Sequence, residues 1–155
     1  KSALNEHLVL IGGGEQDKEL RELVQKLGIQ DKVTFTGFVG FDELASVLKL
    51  ADVAINPMLP SLVSNAALPN KVIQYLASGR VVVSSRLRGL ELSFSESSAL
   101  HLVDSPKEVT KEAMRICRGN IEPAEYTGIA EVERFSLYNA IKVFSDRCGQ
   151  VAANA

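Results

Sequence analysis

The stretch from Ala51 to Ser85 is the part of this chain that most restricts its fold. Two short apolar runs, A-D-V-A-I-N-P at residues 51–57 and V-V-V-S-S at residues 81–85, flank a helical pattern, P-N-K-V-I-Q-Y-L-A-S-G, that stops at Gly79. Strand, loop, helix, glycine stop and strand in that order form a crossover unit, and strands joined through a helix run parallel. The loop between the first strand and the helix, residues 57–70, is long, polar and bounded by prolines. In an open α/β sheet such a loop lies beyond the carboxyl ends of the strands, where ligands bind.

The same alternation extends in both directions. Residues 7–11 read as a buried strand ending in the tight turn Gly12-Gly13-Gly14. Leu20, Leu23, Val24 and Leu27 then recur at helical spacing until Gly28, and residues 32–36 form a strand with Val33 and Phe35 on one side. A helix opening at Phe41 or Asp42 turns Leu44, Val47, Leu48 and Ala51 inward and leads to the third strand, residues 51–56. In the next helix, about residues 69–78, Val72, Tyr75 and Leu76 pack, while Lys71, Gln74 and Ser78 form a stripe open to solvent or ligand.

Residues 81–84 and 99–103 supply the fourth and fifth strands. Ser105-Pro106-Lys107-Glu108 combines a capping box with proline at the first helical position, and the helix it starts runs to about Arg118. Residues 119–128 are a turn-rich break, and a last helix from Ser136 carries Leu137, Ala140, Ile141, Phe144 and Cys148 on one face. Strands alternating with helices over short connections predict a doubly wound, Rossmann-like parallel sheet. It is expected as one domain over residues 1–150, with a disordered tail at 151–155.

Composition removes several functions. At 155 residues with a net charge of −2, the chain has no basic stripe that would follow a phosphate backbone, so nucleic acid is not expected as a partner. No apolar run approaches the roughly 20 residues that span a bilayer, and the N-terminus has no signal-peptide pattern, which predicts a soluble cytoplasmic domain. Cys117 and Cys148 lack metal-ligand spacing with each other or with His7 and His101, so both are expected as buried thiols and no metal site is expected.

Two loops can carry chemistry. Backbone amides of Gly12-Gly13-Gly14 can hold phosphate or sugar, yet the triplet is equally explained by a turn that must visit positive φ. Asp17 stands where a dinucleotide fingerprint needs glycine, and no Walker lysine follows, so no cofactor is expected. In the second loop, the amides at the helix N-terminus favour a diphosphate, with Ser61, Ser64, Asn65 and Asn70 adding hydrogen bonds and Lys71 a charge. Arg86 and Arg88, just past the fourth strand, are within range of an anionic ligand or are solvated. His101 reads as a satisfied strand residue. Nucleophile, base and orienting group nowhere occur together.

The ordered segments L-V-L-I-G-G-G, L-G-I-Q-D-K-V-T-F-T-G-F-V, A-D-V-A-I-N-P and P-N-K-V-I-Q-Y-L-A-S-G-R-V-V-V-S-S resemble the C-terminal, nucleotide-sugar-binding domain of retaining glycosyltransferases of the group 1 (family 4) type. The likeness runs from about Leu8 to Val103, and E-R-F-S resembles the start of that family's C-terminal helix. It implies a two-domain (GT-B) enzyme whose C-terminal half holds a UDP-, GDP- or similar sugar donor. Gly12, Gly13 and Gly14 would lie near the donor, backbone at Gly37, Phe38 and Val39 would hold the base, and Asn70 and Lys71 would sit near the phosphates. The remaining loop residues Ala67 and Leu68 would border the same site.

Two departures matter. The family's paired glutamates align with Ala66 and Gln74, so neither carboxylate is present. Gln74 can still bond the ribose diol through a neutral amide, a weaker contact than a charged one. Ala66 offers the donor sugar no polar group, so Ser64 or Asn65 would have to reach it instead. The family's first strand of this domain, with its Arg and Lys, would precede Lys1. In the order 3-2-1-4-5-6 its absence would leave a seam between the strands at 7–11 and 51–56. The expected function is donor binding for transfer, with retention, to a glycan or lipid-linked acceptor held by an N-terminal domain that could touch a membrane peripherally. A non-catalytic nucleotide-sugar-binding or interaction domain, and a nucleotide-sugar epimerase, are the alternatives.

Overall fold

The computed structural model describes residues 6–94 and 97–119 together with Val132. The break expected beyond Gly119, the helix from Ser136, Cys148 and the tail lie outside those residues. The chain divides into two units, Lys1–Ser46 and Val47–Ala155.

The first unit contains β1 (Leu8–Ile11), α1 (Asp17–Leu27), a 3-10 turn (Gln30–Lys32), β2 (Val33–Gly37) and most of α2 (Phe41–Leu48), whose last turn passes into the second unit. β1 and β2 are parallel, pairing Leu8 with Val33, and the register shifts between Leu10 and Ile11. α1 begins with Asp17 and Glu19 in its first turn and closes on Gly28 at φ 65°, a left-handed position that glycine takes without steric cost. The guanidinium of Arg21 lies 4.2 Å from the centre of the Phe35 ring.

The inner face expected for α1 is not buried: Leu20, Leu23 and Leu27 are 41%, 49% and 59% exposed. A sheet of two strands offers a helix a narrow apolar surface, too little to cover its stripe. Among the described residues no ladder joins this pair to the other sheet.

The second unit contains β3 (Val53–Asn56), α3 (Leu62–Ala66), α4 (Asn70–Ala77), β4 (Val81–Ser85), α5 (Arg88–Ser93), β5 (Leu100–Val103) and α6 (Pro106–Arg118). Its sheet is parallel in the order β3-β4-β5, pairing Val53 with Val81 and Val82 with Leu100. β3 starts two residues later than expected because the Ala51 amide donates to Leu48 O at 3.2 Å, extending the turn that ends α2.

Alternation along β4 sorts the core into two layers. Val82 faces a cluster with Ala54, Val72, Leu76, Leu87, Leu90, Phe94 and Leu100, while Val81 and Val83 face Val109, Ala113 and Ile116 of α6. Helices thus cover both sides of the sheet, the Rossmann-like half that the alternation of elements predicts. At the carboxyl ends of the strands the apolar core gives way to polar groups. Asn56, Ser84 and Ser85 are fully buried, and the Asn56 amide donates to Ser84 Oγ at 2.9 Å.

Cys117 is exposed, not buried. It lies one residue beyond Ile116 on α6, about 100° around the helix from the inward stripe. His101 conforms to expectation within β5, its Nδ1 3.3 Å from Glu112 Oε1.

Truncating Leu76, which is completely buried, should destabilise the protein by about 2–5 kcal/mol in urea unfolding, whereas Leu23→Ala on half-exposed α1 should cost less than about 1 kcal/mol. Equal costs at the two positions would mean that the core is not distributed as described.

Candidate functional site

The segment from β3 to α4 is not a plain loop. α3 occupies its middle, stabilised by a reciprocal cap in which Ser61 Oγ accepts from the Ser64 amide at 3.0 Å and Ser64 Oγ accepts from the Ser61 amide at 2.7 Å. Ser64 also donates its hydroxyl hydrogen to Leu59 O at 2.9 Å, and its side chain is buried. This hydroxyl therefore shapes the loop. Leu62 and Val63 project into solvent and with Ala66 and Ala67 line a shallow apolar depression. Asn65 is half-buried, its Oδ1 3.4 Å from the Arg88 amide that points toward it. Leu68 packs on the core beneath.

α4 follows after buried Pro69, and no side chain caps its first turn. The leading amides of a helix have no acceptor within it, so those of Asn70 and Lys71 are available at the positive end of the helix dipole. Val72 and Leu76, both fully buried, hold the helix against the sheet. Asn70, Lys71 and Gln74 are exposed on the other side. Ser78 leaves the expected stripe: it is buried at the helix end, where its hydroxyl donates to Tyr75 O at 2.7 Å. Burial also raises the pKa of the Tyr75 phenol.

The other expected residues lie in the first unit. Gly12 has φ 105° and its amide donates to Gly37 O at 2.8 Å, while Gly37 itself has φ 67°. Gly13 lies close under the Phe38 ring, where a Cβ would stand 3.3 Å from an exposed side chain that can shift to make room. Gly14 O accepts from the Asp17 amide and so opens α1. Phe38 is 87% exposed and Val39 half-buried. The structure brings Gly12, Gly13, Gly37 and Phe38 together within this unit, and Ser64, Asn65, Ala66, Ala67, Leu68, Asn70, Lys71 and Gln74 together within the other.

Arg86 is not open to an anionic ligand. Its Nε is 2.8 Å from Asp104 Oδ1 and its Nη1 2.8 Å from Glu91 Oε1, and these hydrogen bonds hold the guanidinium pKa above its usual value. Arg88 is exposed. Hydrogen bonding to Arg115 keeps the Glu112 carboxyl below the usual carboxylate range. Among the described residues no three His, Cys, Asp or Glu side chains are placed to hold a metal ion.

Sequence reasoning missed α3 as a helix and α5 altogether. The signal for α3 was the serine pair at 61 and 64 around L-V, a capping pattern read only as a polar loop. Ser61→Ala should weaken α3 by about 1 kcal/mol, seen as faster amide exchange at residues 62–67 with little change in the global unfolding midpoint; unaltered exchange there would show that the cap is not what holds α3.

The family described as "Glycosyl transferases group 1" matches residues 1–118. An uncharacterized glycosyltransferase of Methanocaldococcus jannaschii is 36% identical over 86 residues, 56% of this chain and 21% of that protein. A GDP-mannose-dependent alpha-(1-6)-phosphatidylinositol monomannoside mannosyltransferase of Mycobacterium tuberculosis is 48% identical over 50 residues, 32% of this chain and 13% of that protein. Among solved structures, Anabaena HepE in complex with UDP superposes with a TM-score of 0.73 at 16% identity, over 94% of this chain and 41% of that one. The chain thus matches only a minor part of these proteins' length, in a GT-B fold. The family match over residues 1–118, three quarters of the chain, shows that the chain belongs to the group 1 glycosyl transferases.

Proposed function

We propose that this chain is the donor-binding half of a retaining glycosyltransferase that moves a sugar from a nucleoside diphosphate to a glycan or lipid-linked acceptor held by an N-terminal half. The observation that carries this reading is the start of α4, where uncapped amides, Lys71 and Gln74 share one exposed side behind a structured loop. The amides of Asn70 and Lys71 with the Lys71 ammonium suit a diphosphate, and Gln74, a turn further on, suits the ribose diol. Gly13 and Gly14 would lie at the donor, with Gly37, Phe38 and Val39 at the base.

Catalysis of this kind rests on positioning the anomeric carbon and on stabilising the diphosphate as it leaves. Here α4 supplies fixed dipoles and a single cation, with no carboxylate at Ala66 or Gln74. The mycobacterial relative uses GDP-mannose by its name and the Anabaena neighbour was solved with UDP; GDP, UDP and their sugar conjugates are therefore the ligands to try. Contact of the complete protein with a membrane surface at its cytoplasmic face would come through the N-terminal half. The substitutions at 66 and 74 also favour a second reading, donor binding without transfer.

Calorimetric titration of the complete protein with UDP, GDP, ADP and their sugar conjugates tests the assignment. One nucleotide should bind saturably, and Gln74→Ala and Lys71→Ala should each weaken it by about 2–10-fold, the equivalent of one hydrogen bond or partly screened ion pair. The Lys71→Ala effect should shrink at high salt. Binding untouched by both substitutions would remove the donor from α4, and binding without any sugar transfer would select the second reading.

A further inference from the structure

α5 meets the α3–α4 connection more closely than any side chain would permit. A Cβ on Gly89 would stand 2.5 Å from Ala67 O, 3.2 Å from Ala67 C and 3.6 Å from Asn65 O. Gly89 is not among the glycines at positive φ, so the turn chemistry does not call for it. The approach itself does. Its neighbour Arg88 points its amide at Asn65 Oδ1, which adds a second tie between the same two segments.

We infer that Gly89 is a positioning residue for the donor site: by letting α5 lie directly against the Ala67 carbonyl, it sets where the first turn of α4 stands. Two facts give the contact leverage. α5 cannot retreat, because Leu87 and Leu90 are fully buried and Phe94 nearly so. Ala67 is both the end of α3 and two residues ahead of Pro69, the cap position of α4. A methyl group on Gly89 meets backbone, which has no rotamer to move into, so the strain passes along the chain to Ala66 on one side and to the Asn70 and Lys71 amides on the other.

This inference rests on the donor reading given above, and its test separates the two. In the complete protein, Gly89→Ala should weaken UDP or GDP binding on the order of tenfold, since sub-ångström to ångström misplacement of binding groups carries penalties of that size or more. Amide exchange at residues 65–68 of the ligand-free protein should quicken in parallel. Val109→Ala, in the cluster on the opposite side of the sheet, serves as the control: it lowers the melting temperature and should leave both readouts as in wild type. Should Gly89→Ala fail to fold, Asn65→Ala releases the other tie without adding an atom and should quicken the same amides.

Unchanged affinity in Gly89→Ala beside a wild type that binds nucleotide overturns the inference and spares the donor reading. An equal drop in affinity in Val109→Ala also overturns it, because general destabilisation would then account for the effect. A wild type that binds no nucleotide overturns the donor reading, and with it any role of Gly89 toward that ligand, whatever the exchange rates show.

Discussion

Burial of β4 on both faces is the constraint from which the second unit follows. All five residues of Val81–Ser85 are buried, with a parallel partner on either edge and a helical layer on either side. A strand so placed exposes no backbone group to water, and its apolar contacts serve two clusters at once. α4 is seated by Val72 and Leu76 on one side and α6 by Val109, Ala113 and Ile116 on the other. The exposed stripe of α4 therefore has a fixed direction because its opposite stripe is embedded in the core.

The carboxyl edge of the sheet is held in a different manner. Arg86 reaches Asp104 just past β5 and Glu91 on α5, joining three segments near the strand ends. Both pairs are solvent-exposed, so their contribution to stability is small; their effect is to orient the start of α5. The first unit contrasts with all of this. Its described residues have no fully buried side chain, and its two strands carry helices with half-exposed apolar faces.

Much of this architecture was legible in the residues. Most strands announce themselves as apolar runs and β2 by its alternation, and Gly28 and Gly79 end their helices where the sequence places them, both at positive φ. α3 and α5 were not legible as helices, because L-V-S-N-A and R-G-L-E-L-S are too short to display a helical period, and a glycine inside the second argues locally against it. The same limit applies to the site. Lys71 and Gln74 lie exposed on α4 as the periodicity implies, whereas Ser64 and Ser78 looked like ligand groups and instead bond the backbone around them, as short hydroxyl side chains near helix ends commonly do. Arg86 could not be assigned from sequence at all, since its partner Asp104 is 18 residues away.

The buried bond between Asn56 and Ser84 has a consequence for how this sheet assembles. Val53-Ala54-Ile55 facing Val81-Val82-Val83 offers almost the same greasy contact if one strand slides by a residue, because both sides of β4 are apolar and a slide exposes nothing. Oil alone would leave several misaligned sheets competing as traps. Sliding β3 so that Asn56 lies opposite Val83, however, would strip its amide of the hydroxyl that accepts its hydrogen, a penalty of about 1–3 kcal/mol for a buried group. One amide and one hydroxyl thus mark the register against a slide in that direction on an otherwise featureless valine ladder.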